Sequence, residues 1–98
     1  MPLDAQQVAK LKSEVHLGME IAALVENSTV KTALNGLLHG LQNEWMVTIT
    51  PEGRELLWQK AQGVQEFVGA LRTIVDTGKM AASQLATDAA LRGQDDEN

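Results

Sequence analysis

Residues 50–78, TPEGRELLWQKAQGVQEFVGALRTIVDTG, give the strongest indication of fold class in this 98-residue chain. Their aliphatic side chains recur every three or four residues, a spacing that places them on one face of an α-helix. They are Leu57, Ala61, Val64, Val68, Leu71 and Val75. Thr50 can cap the first turn, Pro51 suits the first helical position, and Glu52 complements the positive helix end. The pattern therefore predicts a long helix that begins at residue 51.

The residues before this stretch predict two further helices. Asp4 followed by Gln7 has the spacing of a capping box, which indicates a helix over about 4–26. Asn27 or Ser28 can cap a second helix over about 28–46, and the short connection favours an antiparallel pair of these two helices. Residues 46–50 alternate like a strand, but one strand has no pairing partner, so we expect an extended linker there.

The residues after Thr77 leave one alternative open. Gly78 either ends the third helix at about residue 77 as a left-handed cap, with a further helix over 79–92, or lies inside one longer helix. Residues 93–98 contain no apolar anchor and three acids, which predicts a disordered acidic tail. The sequence as a whole predicts one all-α domain over 1–92, an antiparallel helical bundle or a helical hairpin with a long third helix. Because the apolar stripes are wide for a small monomer, we also expect an oligomer.

Composition narrows the class of protein. Thirteen acidic residues against eight basic ones give a net charge of −5, and the basic residues form no run, which argues against nucleic-acid binding. The absence of Cys excludes disulfides and thiolate chemistry. No apolar run reaches the roughly 18 residues of a membrane helix, and the start of the chain lacks signal-peptide features. These observations predict a cytoplasmic protein without a membrane partner.

The sequence offers no convincing catalytic, cofactor or metal site. His16 and Glu20 lie one turn apart, but a protein zinc site normally needs three ligands, and His39 stands alone. Ser28-Thr29-Val30-Lys31 matches the Ser-x-x-Lys pattern without the companion motifs that penicillin-recognising enzymes require. Thr77-Gly78-Lys79 lacks the glycine-rich turn of a phosphate loop. We therefore expect a protein that is not an enzyme and that holds no cofactor or metal.

Several residues are instead candidates for an interface with another protein. Trp45 and Trp58 flank the linker, and each is large enough to dominate a core contact or an interface hot spot. Gly36 and Gly40 lie one turn apart, where two small residues would let a bulky neighbour or another backbone approach closely. The candidate interface residues are Trp45, Trp58, Arg54, Gly36, Gly40 and Phe67.

The segment from Trp45 to Leu85 resembles a group of small helical proteins encoded among the virion and packaging genes of tailed bacteriophages. The similarity rests on Trp45, Thr50 and Glu52, on Arg54-Glu55-x-x-Trp58, and on Gly78-Lys79-x-Ala81. The resemblance implies a phage or prophage origin, and hence the host bacterial cytoplasm or the virion as the location. It supplies no catalytic residues.

Two functional hypotheses follow from these observations. The first is a non-enzymatic phage structural or assembly protein that acts through helix-mediated self-association and through contacts with another phage protein. The second is a small phage-encoded binding protein that inhibits or sequesters a host defence protein or a small anionic signal. In the second hypothesis, Lys10, Lys12 and Lys31 could meet a phosphate group if oligomerisation gathered them.

Overall fold

Three helices and no strand make up the described part of the chain. The computed structural model describes the backbone of residues 2–97 and the side chains of residues 2–93. Helix α1 spans Ala5–Glu26, α2 spans Ser28–Val47, and α3 spans Pro51–Glu97. The predicted all-α class with a long third helix is confirmed.

The predicted capping interactions are present at the start of each helix. Asp4 and Gln7 form the reciprocal capping box: the Gln7 N–H donates to Asp4 Oδ1 at 2.8 Å, and the Asp4 N–H donates to Gln7 Oε1 at 3.0 Å. Asn27, rather than Ser28, caps α2, because its Oδ1 accepts from the backbone N–H groups of Thr29 and Val30. Thr50 Oγ1 accepts from the Gly53 N–H at 3.1 Å. Local polar groups therefore fix where each helix starts.

The linker between α2 and α3 is shorter than the sequence predicts. Met46 and Val47 belong to the last turn of α2, so only residues 48–50 connect the two helices. Thr48 ends α2, since its N–H and its hydroxyl both donate to the Glu44 carbonyl oxygen. Met46 is apolar and Val47 is β-branched, as strand residues often are. The alternating pattern therefore predicted a linker that starts at residue 46, two residues before the observed one.

Helix α3 continues without a break through both places where the sequence suggested a boundary. Gly78 has no left-handed conformation, so it lies inside the helix and does not cap it. The backbone of residues 93–97 continues α3, and Asn98 lies outside the described residues, so the disordered acidic tail over 93–98 stays a prediction. Extending an existing helix adds one hydrogen bond for each residue fixed, and therefore needs no apolar anchor of its own.

The chain forms two compact units, each built from one short helix and one part of α3. The α1 unit contains the chain through Ala22 together with α3 from Arg72 onward, and the α2 unit contains Ala23–Leu71. Helix α1 thus pairs with α3, whereas the sequence favoured pairing α1 with α2. The single connecting residue, Asn27, is shorter than the two to five residues that join antiparallel helix pairs.

Two glycines allow the helices of the α1 unit to touch backbone to backbone. Gly18 of α1 and Gly78 of α3 are both buried. A Cβ atom added to Gly18 would lie 3.0 Å from the Gly78 Cα atom and 3.2 Å from the Ile74 carbonyl oxygen. A Cβ atom added to Gly78 would lie 3.0 Å from both the Glu14 carbonyl oxygen and the Gly18 Cα atom. The neighbours are backbone atoms, so a side chain at either position would push the helices apart.

We predict that Gly18→Ala and Gly78→Ala each lower the free energy of unfolding, by up to about 2 kcal/mol. Alanine would favour the helical state by about 1 kcal/mol, but overpacking against a backbone costs roughly 1–3 kcal/mol. Urea unfolding at a fixed protein concentration measures the change. Gly63→Ala is the matched control in α3, because a Cβ there meets nothing within 4 Å, and it should stabilise the chain by about 0.5–1 kcal/mol. Stabilisation by Gly18→Ala equal to that of the control would contradict the close contact.

In the α2 unit, α2 and the first part of α3 lie against one another with very little fully buried apolar surface. Leu57 is the one large apolar side chain among the described residues that is buried, with 6% of its surface exposed. The neighbouring side chains Leu34, Leu41, Ala61 and Val64 are only half-buried. Leu57 therefore carries a large share of the core packing of this unit.

The two adjacent leucines of α3 test this assignment. Leu57→Ala should lower the free energy of unfolding by about 2–5 kcal/mol, since it removes buried methyl groups and leaves a cavity. Leu56→Ala makes the same chemical change at a side chain that is 54% exposed, and it should alter stability by no more than about 0.5 kcal/mol. Chemical denaturation of the two variants side by side gives the comparison. Equal costs at both positions would show that Leu57 is not a core residue.

Candidate interaction surface

Arg54 ties the start of α3 to the end of α2 within the α2 unit. Its Nε–H donates to the Thr48 carbonyl oxygen at 2.8 Å, and its guanidinium carbon lies 5.2 Å from the centre of the Trp45 ring. Gly53 completes the turn, because a Cβ there would lie 2.7 Å from Thr48 Cγ2 and 2.8 Å from Thr50 Oγ1. A side chain at residue 53 would therefore displace the side chains of Thr48 and Thr50. The turn also places the Arg54 cation over the Trp45 ring.

Both tryptophans line one apolar groove between α2 and α3, which we call the Trp groove. Its volume is 340 Å³, and it is lined by Leu38, Leu41, Gln42, Trp45, Leu57, Trp58 and Ala61. Trp45 is 40% exposed and Trp58 is 51% exposed, so neither serves as the core residue that is the usual role of a tryptophan. Gln42 is the single polar side chain in the lining. The structure therefore brings Trp45, Trp58 and Arg54 together.

Phe67 lies in a different groove of the same unit. This second groove, which we call the Phe groove, is lined by Leu34, Leu37, Leu41, Lys60, Gly63, Val64 and Phe67. Phe67 is 57% exposed. Leu41 lines both grooves, whereas every other lining residue belongs to one of them. The predicted interface residues therefore separate into the two tryptophans with Arg54 on one side and Phe67 on the other.

Gly36 and Gly40 do not make the close approach within the chain that their spacing suggested. Both are exposed, and a Cβ added to either would meet no heavy atom within 4 Å outside the helix's own nearby backbone. Neither glycine lines the Trp groove or the Phe groove. The pair that brings two backbones together is Gly18 with Gly78, which lie on different helices. A spacing rule within one helix could not find such a pair.

The ionisable side chains do not form a metal site among the described residues. His16 Nε2 and Glu20 Oε1 are 2.9 Å apart on an exposed face of α1, as their one-turn spacing suggested. No group of three His, Cys, Asp or Glu side chains lies together in the part of the chain that the structure describes. In the same part of the chain, no helix combines the length and the hydrophobicity that crossing a membrane requires.

A buried polar contact near the chain start is the clearest feature that the sequence analysis missed. Asp88 of α3 accepts a hydrogen bond from the Leu3 N–H at 2.8 Å and another from Arg92 Nε at 2.8 Å. The Arg92 guanidinium also donates to the Leu3 carbonyl oxygen at 2.6 Å. We call these three residues the Asp88 clamp. Only the four-residue spacing of Asp88 and Arg92 was visible in the sequence, whereas Leu3 is 85 positions from Asp88.

The clamp stabilises the charged form of Asp88. The hydrogen bond from Arg92 is the main cause that lowers the pKa of this carboxyl below its usual range, and the Leu3 N–H contributes in the same direction. The side chain is only 7% exposed, and both carboxylate oxygens have donors. Both carboxylate oxygens of Asp88 accept hydrogen bonds from the other two residues of the clamp. Asp88 therefore anchors the segment before α1.

Comparison with known proteins yields no relative to guide the assignment of a site. The sequence matches no protein family, and no curated protein or solved structure matches it. The candidate surface therefore rests on the geometry of the α2 unit itself.

We predict that acid weakens the fold through Asp88. Because the pKa of Asp88 is lower in the folded chain, its contribution is fully present above the unfolded value of about 3.9 and is lost as the pH falls through the folded value. Thermal melts from about pH 6 to about pH 3 should show a steeper loss of stability for the natural chain than for Asp88→Asn. Asp76→Asn, at an exposed position of the same helix, controls for the lost charge. Equal slopes for the natural chain and Asp88→Asn would contradict the clamp.

Proposed function

We propose that this chain is a non-enzymatic bacteriophage structural or assembly protein that acts through helix-mediated contacts, including self-association. The observation that carries the proposal is the Trp groove, where two half-exposed tryptophans lie in an apolar lining with one polar side chain. Tryptophan is enriched at the residues that dominate binding energy, and charged residues are depleted at interface centres. The phage setting is supported by the resemblance of the segment from Trp45 to Leu85.

The alternative of sequestering a small anion finds less support. Two of the lysines that could meet a phosphate group already lie beside carboxylates: Lys10 Nζ is 3.9 Å from Glu14 Oε1, and Lys31 Nζ is 3.2 Å from Glu26 Oε2. The Trp groove contains no cation in its lining. An apolar protein surface is a better match to this groove than a charged small molecule, so we prefer a contact with protein. The resemblance to phage proteins then favours assembly over inhibition of a host defence protein.

The assembly role predicts that the chain is incorporated into phage particles. Quantitative mass spectrometry of purified virions and procapsids should find it at a fixed number of copies per particle. A particle preparation that carries Trp58→Ala should lose the chain or assemble poorly, whereas Gln59→Ala, at a neighbouring exposed residue that lines neither groove, should behave like the natural chain. Absence of the natural chain from both virions and procapsids would argue against a structural role and in favour of a host partner.

A further inference from the structure

The segment before α1, residues 2–4, lies against α3, and we call it the strap. Pro2 and Asp4 are exposed, whereas Leu3 is half-buried. Leu3 donates its N–H to Asp88 Oδ1 at 2.8 Å, and its carbonyl oxygen accepts from the Arg92 guanidinium at 2.6 Å. Asp88 and Arg92 thus bind both backbone groups of one residue. Every polypeptide except at proline carries these two groups, so the contact is not restricted to this segment.

Helix α1 begins without help from the strap. Asp4 and Gln7 form the capping box, and the Val8 N–H donates to the Asp4 carbonyl oxygen at 3.0 Å. These bonds close the first turn of α1 with no group from Leu3. The hydrogen bonds that start α1 are therefore separate from those that hold the strap, and Leu3 can leave α3 while α1 stays formed.

Leu3 borders two cavities of the α1 unit. One has a volume of 250 Å³ and is otherwise lined by α3, and the other has a volume of 590 Å³ and is otherwise lined mainly by the start of α1. Leu3 and Asp88 line both cavities, whereas every other lining residue belongs to one of them. Removal of the Leu3 side chain from this position would join the two cavities into one groove.

The chemistry of this groove indicates what can replace the strap. The Asp88 side chain is only 7% exposed, and a buried carboxylate that loses a donor is costly, so a replacement needs an N–H group for Asp88. It also needs an acceptor for Arg92 and an aliphatic side chain for the space of Leu3. A phosphate group would meet the negative charge of Asp88. An extended polypeptide segment supplies all three groups.

We propose that the Asp88 clamp is a binding site for an extended polypeptide segment of a partner protein, and that the strap occupies this site as a displaceable internal competitor. The partner presents the backbone N–H and C=O of an aliphatic residue to Asp88 and Arg92. The inference goes beyond the proposed function, because it concerns the α1 unit and does not depend on the Trp groove.

A peptide titration of the full chain tests the proposal. The probe is the capped peptide acetyl-Pro-Leu-Asp-amide, and the readout is the NMR shift of the Thr87, Asp88 and Leu91 amides. Leu3→Pro removes the N–H that the strap donates to Asp88 and should vacate the site. The peptide should bind this variant at least about 10-fold more tightly than the natural chain, where the tethered strap competes at high effective concentration. Pro2→Ala, at the exposed neighbour, is the matched control and should behave like the natural chain.

Two further changes test which groups recognise the peptide. Asp88→Ala in the Leu3→Pro chain should weaken peptide binding by roughly 10-fold or more, because the acceptor for the peptide N–H is lost. Asp76→Ala in the same chain removes an exposed carboxylate of α3 and should leave the affinity unchanged. A peptide with N-methylated leucine has no N–H at that residue and should bind as weakly as the unaltered peptide binds the Asp88→Ala chain.

Hydrogen exchange of the natural chain gives a measurement that needs no variant. The Leu3 N–H should be protected roughly 10–1,000-fold, since two hydrogen bonds to charged groups hold the strap. It should nevertheless exchange much faster than amides in the middle of α1, such as that of Gly18. Low concentrations of urea should leave its exchange rate unchanged, because release of the strap exposes little surface.

Four results would overturn the proposal. The first is a Leu3→Pro chain that does not bind the peptide at several millimolar. The second is equal affinity of the natural and Leu3→Pro chains, and the third is binding that persists in the Asp88→Ala chain. The fourth is a strap that is inseparable from the fold, shown by a Leu3 N–H that exchanges only with global unfolding or by loss of helix in Leu3→Pro on circular dichroism.

Discussion

Contact between two backbones at Gly18 and Gly78 determines how the α1 unit is built. The hydrogen atom of each glycine occupies the space in which a Cβ would lie 3.0 Å from the opposing Cα atom. Gly78 also lies in the interior of α3, where glycine weakens a helix by about 1 kcal/mol relative to alanine. The close approach of α1 offsets this cost. Ala81, one turn further along α3, is also buried, with 1% of its surface exposed.

The Asp88 clamp completes this unit at the other end of α1. Leu3 precedes the helix, and its N–H and carbonyl groups would otherwise need water as a partner. Asp88 and Arg92 supply both partners from one face of α3, four residues apart. The α1 unit therefore combines a steric constraint at its glycine contact with an electrostatic one at the chain start.

The α2 unit has the opposite character. The polar contacts that hold it join residues close in sequence. Asn27 caps α2, and Thr48 and Thr50 make the hydrogen bonds at the two ends of the linker. Arg54 lies over the Trp45 ring. The apolar side chains of this unit remain largely exposed, with Leu57 as the single buried large residue described. A surface of this kind is costly in water unless something covers it. For this reason the proposed assembly contacts with other proteins are assigned to the α2 unit.

The helices and their starting points can be predicted from local sequence, because capping groups and apolar periodicity act within a few residues. Asp4, Asn27, Thr50 and the stripe through Leu57 are examples. The pairing of α1 with α3, the close contact of Gly78 inside α3, and the hydrogen bond between Leu3 and Asp88 become evident only in the folded chain. The folded chain also separates Phe67 from the two tryptophans. These features depend on contacts between residues distant in sequence, which no local pattern records, and on the space that a neighbouring backbone leaves for a side chain.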